Sequence, residues 1–174
     1  MSEGDSGKGG AAEKAREVTE AIKKLDLRDR VIFLASAALV ILFFLPWWRI
    51  EINMMGVADS KSMNGLHDAG WIGFLAACVG TLAGLANMGF VPVSSELKAQ
   101  ARKTTVQLGL AAAALLLGPL YFWSQVDEPA MMMGLAEAGK TLFFWIALLL
   151  ALAAAGAAGW KLADERKAAG GPAA

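Results

Sequence analysis

Charge is what the longest segments of this chain lack. Four apolar runs, Val31 to Trp48, Ala69 to Val93, Thr104 to Gln125 and Thr141 to Trp160, contain no Asp, Glu, Lys, Arg or His. Ionisable groups inside a membrane mark most proton relays, ion paths and buried catalytic sites, so their absence removes those chemistries from the runs. Cysteine is almost missing too. Cys78 stands alone inside the second run, which excludes an intrachain disulfide and a thiolate metal site within one chain. Histidine is equally scarce, and His67 is the only imidazole available for acid-base work or metal binding.

What is present in abundance is apolar length. As helix, Val31 to Trp48 covers about 27 Å, close to the hydrocarbon thickness of a bilayer, and the other three runs are longer. With 56% hydrophobic residues in 174, the composition exceeds that of ordinary soluble domains. The expected fold class is an all-α membrane protein, a four-transmembrane-helix bundle with spans 31–48, 69–93, 104–125 and 141–160. The net charge of zero conceals an asymmetry. Of sixteen Lys and Arg, seven precede the first run, three lie at 98–103 and three at 161–167. Only Arg49, Lys61 and Lys140 lie in the other two loops, so the positive-inside rule puts both termini in the cytoplasm, with a bacterial inner membrane as the expected location. The first span reads as an uncleaved signal anchor, because some thirty residues precede it and its apolar core is too long for a cleavable signal.

Residues 1–10 and 168–174 are rich in Gly, Ala, Ser and Pro and are expected to be disordered, the second stretch within a cytoplasmic tail at 161–174. Between 11 and 30, Ala11, Ala15, Val18, Ile22 and Leu25 alternate steps of four and three, which predicts an amphipathic cytoplasmic helix whose Val18 and Ile22 are contacts for a partner. Acidic residues balance the basic ones there, which argues against nucleic acid.

Five tryptophans, Trp47, Trp48, Trp71, Trp123 and Trp145, fall near one end of their spans, and Trp160 marks the other; all six read as interfacial anchors. Small residues at four-residue spacing predict where helices approach closely: Ala76, Gly80 and Gly84 on the second span, and Ala147, Ala151, Ala155 and Gly159 on the fourth. Gly118-Pro119 predicts a bend in the third span.

In the first outer loop, Arg49 to Met54 alternates polar and apolar and Val57 to Met63 is able to return, which predicts a short β-hairpin. The third loop, around Pro129 and Met131, Met132 and Met133, reads as an irregular or amphipathic surface segment, and these methionines as an adaptable apolar contact for a partner. Their spacing has no Met-x-Met repeat, so no metal or other cofactor is expected. His67 and Asp68 are sequence neighbours that project in different directions, so Asp68 is assigned to capping the second span and no residue to catalysis.

The stretch Phe44-Leu45-Pro46-Trp47-Trp48, followed by the alternating strand and by Asn64-Gly65-Leu66-His67-Asp68-Ala69-Gly70-Trp71, resembles a widespread class of small bacterial four-span membrane proteins of uncharacterised role. The topology is also similar to that of claudin-like tetraspans, although their paired loop cysteines and Trp-Gly-Leu-Trp signature are missing. The resemblance implies architecture and no active-site residues. The function expected is a non-enzymatic integral membrane scaffold or accessory subunit, touching lipid and other membrane proteins or its own copies. The alternative is a small oligomeric channel or carrier for a neutral or hydrophobic solute, lined by Thr81, Asn87, Thr104, Thr105 and Gln107.

Overall fold

The computed structural model describes residues 6–54, 57–125 and 136–169. The protein is mostly helical, with a small three-stranded sheet. Its elements are α1 (Ser6–Lys24), α2 (Leu27–Leu42), β1 (Pro46–Met54), β2 (Val57–Asn64), α3 (Gly70–Met88), α4 (Ser95–Arg102), α5 (Thr104–Leu115), a π-helical turn (Leu116–Leu120), α6 (Tyr121–Gln125), β3 (Ala136–Lys140) and α7 (Leu142–Ala169).

Three helical stretches are long and apolar enough to cross a membrane: Gly70–Met88, Thr104–Gln125 and Leu142–Ala169. The first apolar run, expected as a helix over 31–48, behaves differently. Its helix starts earlier, at Leu27, because the Asp26 carboxylate accepts from the Arg28 backbone N–H at 3.4 Å and caps it. It stops at Leu42, because Pro46 offers no N–H to continue a helix and instead opens strand β1. The helix expected over 11–30 is therefore split: α1 ends at Lys24, and Arg30 reaches back to donate to the Ile22, Lys23 and Leu25 carbonyls. A cation on the last carbonyls of a helix complements its dipole. Residues 6–10, expected to be disordered, are helical. The α7 helix runs nine residues past Trp160 into the expected tail.

The partners at each end fix the packing directions. Arg28 pairs with Asp164 at 2.6 Å and Asp29 with Lys161 at 2.7 Å, while Trp47, a few residues beyond the other end of α2, stacks near Phe144, so α2 and α7 are antiparallel. Phe43 meets Phe74, and Gly84 abuts Phe33, so α3 is also antiparallel to α2. Each of α2 and α5 packs against α3 and α7, while α2 and α5 face one another across a diagonal and barely touch. The result is an up-down-up-down bundle with a sheet at one end and the ionic contacts at the other.

The bend in the third stretch is a π-turn in which Gly118 takes φ −98° and ψ −107° ahead of Pro119. Gly73 accommodates it, since a Cβ there would lie 2.7 Å from the Gly118 nitrogen. The helix α3 ends sooner than expected, at Gly89, whose φ of 88° suits a residue without Cβ. The short α4, not foreseen in the sequence, is capped by Ser94 Oγ accepting from Leu97 N–H at 3.3 Å.

The expected hairpin is present, with Arg49 opposite Ser62 and Glu51 opposite Ser60. It is not two-stranded: β3 adds to the other edge of β1, giving the antiparallel order β2-β1-β3. Thr141 clamps the sheet to the bundle, its N–H donating to the Trp47 carbonyl at 2.9 Å and its hydroxyl to that of Pro46.

Candidate functional site: a polar cavity behind an aromatic plug

The bundle is filled differently in its two halves. At the sheet end, Phe43, Trp47, Phe122 and Phe144 lie almost fully buried against Leu39, Leu42 and the alanines of α3 and α7. Trp47 is central. The pairing of β1 with β2 slips between Pro46 and Trp48, leaving Trp47 out of the ladder, as a β-bulge does when it re-aims a side chain. The indole fits because Gly65 has no side chain; a Cβ there would lie 2.6 Å from the ring and 2.8 Å from Phe43. Trp47 was expected as an interfacial anchor and is instead a fully buried core residue. Trp48 is half-buried, and its Nε1 is buried without a hydrogen-bond partner among the described residues. Trp71, Trp123, Trp145 and Trp160 are exposed on the outside of the bundle.

At the opposite end the axis is open. A cavity of about 330 Å³ lies between α2, α3, α5 and α7, with Arg102 of α4 at its mouth. Small side chains create it. Ser36, Gly80, Ala83, Gly84 and Ala111 supply wall without filling the axis, and Ile32, Phe33 and Leu110 make the rest of the wall apolar. Ridge residues Gly80 and Gly84 thus bring α3 onto α2: a Cβ at Gly84 would lie 2.4 Å from the Phe33 ring, and one at Gly80 3.1 Å from Ser36 Oγ.

Polar groups converge on the same space. Lys161 donates to Asp29 at 2.7 Å and to Gln107 Oε1 at 3.2 Å, crossing from α7 to α2 and α5. Asn87 also lines the cavity, and its Oδ1 is buried without a hydrogen-bond partner among the described residues. An orphaned buried carbonyl costs on the order of 1 to 3 kcal/mol unless something donates to it. The Arg102 side chain makes no hydrogen bond or ion pair with the described residues. The lining therefore carries two cations and one carboxylate. Beside it, Arg28 pairs with Asp164 and lies 4.6 Å above the Trp160 ring, and Thr104 donates to Glu165.

The remaining sequence assignments divide cleanly. On α3, Ala76 packs in the core. On α7, Ala147 and Ala151 are fully buried, but the buried stripe then moves to Ala154 and Ala158. A helix turns 100° per residue, so a strict four-residue row drifts off the contact face. Ala155 is only half-buried, and a side chain at Gly159 would meet open space. Of the five polar residues considered for a solute path, Asn87 and Gln107 line the cavity, whereas Thr81 donates to Ala77 O, Thr104 is tied to Glu165 and Thr105 is exposed. Asp68 does not cap α3. The cap position is Ala69, while Asp68 sits at φ 48° with its carboxylate 3.2 Å from His67 Nε2. Met131, Met132 and Met133 lie outside the described residues. Among the described residues, no three His, Cys, Asp or Glu side chains form a metal-binding group.

Known proteins offer no guide, since no protein-family model, curated protein or solved structure matches the chain.

Proposed function

We propose that the chain is a four-span integral membrane protein, the fourth span being α2 together with the residues leading into β1, and that it acts without catalysis as a scaffold or accessory subunit. At 16 residues α2 covers about 24 Å, short of the ~30 Å hydrocarbon core. It nevertheless packs on both α3 and α7, through Arg28 and Asp29 on α7 and Phe33 and Ser36 on α3, and Leu34, Ile41 and the following Phe44 stand exposed. The exposed sides of α3 and α7 are likewise apolar, with Leu75, Val79 and Leu82 on one and Ile146, Leu149 and Leu152 on the other. A belt of this kind around a whole bundle suits acyl chains.

The observation that carries the scaffold reading is the placement of α1. This 19-residue helix is joined to the bundle at Arg30 and, among the described residues, faces the Asn87–Met88 end of α3 only across an open cleft, with Val18 and Ile22 half-exposed between charged flanks. On the flank, the Lys23 ammonium 2.9 Å from Glu20 holds that carboxyl below its ordinary range. A helix presented in this way is suited to a partner's groove or helix. Both termini then lie in the cytoplasm, with the sheet and the Met-rich loop outside.

Purification of the whole assembly from gently solubilised membranes tests this. A partner recovered in fixed proportion, and lost on changing Val18 and Ile22 to Asp or Met131, Met132 and Met133 to Ser, supports the subunit role. Recovery of the chain alone as a homo-oligomer that passes a solute into liposomes supports the carrier instead.

A further inference from the structure

We propose that the cavity between α2, α3, α5 and α7 is a binding site for one anionic phospholipid whose headgroup carries hydroxyl or amino donors. The inference rests on the membrane reading above and goes beyond it, since a scaffold needs no lipid site on its axis.

Three observations point to this class of ligand. The lining is amphipathic: Ile32, Phe33 and Leu110 form an apolar wall beside a polar group of Asn87, Gln107 and Lys161. Its charge is unbalanced, because Asp29 offsets Lys161 and leaves Arg102 at the mouth with no ionic partner among the described residues. Its lining also needs a donor, since the Asn87 Oδ1 is buried and has no hydrogen-bond partner among the described residues. A phosphodiester answers the cations, a headgroup hydroxyl or ammonium answers Asn87, and the glycerol and first methylenes answer the apolar wall. A small soluble anion would leave the apolar wall of Ile32, Phe33 and Leu110 uncovered. At about 330 Å³ the space is at the lower end of ordinary ligand pockets, large enough for a headgroup with its acyl chains trailing outward. Basic pockets between membrane helices commonly hold such heads.

The site also accounts for the small residues lining it. Gly84 and Ala111 hold α3 and α5 close to their neighbours without filling the axis, whereas the same axis at the sheet end is closed by Trp47 and its aromatic neighbours. The axis is thus closed beyond the site, so a bound head cannot pass through.

The test is native mass spectrometry on the full chain, purified in detergent, stripped of lipid and offered equal amounts of phosphatidylglycerol and phosphatidylcholine. Phosphatidylcholine carries a phosphate and no donor. The expected result is one phosphatidylglycerol per chain, favoured roughly tenfold, and a roughly tenfold loss of that preference in both Arg102→Gln and Asn87→Leu. Arg102 is exposed, so its variant folds normally even if the Asn87 variant does not. Lys61→Gln, on the sheet, removes one positive charge elsewhere and leaves the preference unchanged. Equal retention of the two lipids, an unaltered preference in Arg102→Gln, an equal loss in Lys61→Gln, or displacement of the lipid by millimolar inorganic phosphate would each overturn the proposal. Because the assay uses the isolated chain, failure to find a protein partner has no bearing on it.

Discussion

The Nε1 of Trp47 donates to the carbonyl oxygen of Leu42 at 2.7 Å, five residues back along the chain. That one bond joins the first residues of a strand to the last turn of a helix and satisfies the only polar atom on a ring with no solvent exposure. The chain reversal from α2 into β1 is thereby fixed around the indole, with Phe43, Phe122 and Phe144 packed against it.

Trp47→Ala is expected to remove about 3 to 5 kcal/mol of stability, the usual range for deleting a buried aromatic. Trp47→Phe should cost about 1 kcal/mol, because the Leu42 carbonyl still accepts from Leu45 N–H. Thermal unfolding of the purified protein in detergent measures both. Equal, small effects would show that the indole is peripheral.

Gly84→Leu should be strongly destabilising, by about 1 to 3 kcal/mol, since its Cβ alone overlaps Phe33 and the helices would have to separate. Gly159→Leu should be near neutral, as its Cβ meets nothing within 4 Å. The same melting assay compares the two, and a reversed order would mean that α7 and not α3 holds the close contact.

These two glycines show how far the sequence can be read. Residue spacing reveals that small side chains lie on a stripe but not which turn of a 28-residue helix still faces its neighbour. Similarly, the alternation from Arg49 to Met54 is visible as a strand. Ala136-Glu137-Ala138-Gly139-Lys140 is not, because Ala, Glu, Gly and Lys are poor strand formers and only pairing with β1 makes them one. Trp47 reads as an interfacial residue because it follows an apolar run; its burial depends on the bulge and on Gly65, eighteen positions away in sequence. The cavity was half legible. Asn87 and Gln107 stood out as polar residues near span ends, but Arg102, Asp29 and Lys161 lie in segments that look like ordinary charged flanks until the bundle brings them together.

The pair of Lys161 and Asp29 should be coupled. Their side chains are 20% and 32% exposed, so the interaction is screened only in part. In a double-mutant cycle of Asp29→Ala and Lys161→Ala, a coupling of about 0.5 to 1.5 kcal/mol is expected. It should shrink in high salt. Additive losses would show that the bridge is not maintained in solution.

The crossing of the membrane by α2 decides the account more directly than any stability measurement. If α2 spans, α1 and the α7 terminus lie on one side and the sheet on the other; if only α3, the stretch Thr104–Gln125 and α7 span, α1 shares the side of the sheet. Single cysteines at Thr19, Ser62 and Ala168, in a Cys78→Ala background, can be exposed to a membrane-impermeant thiol reagent on intact cells. The account predicts labelling at position 62 alone, with positions 19 and 168 reacting only after permeabilisation. Labelling at both 19 and 62 from outside would contradict it and leave a three-span protein.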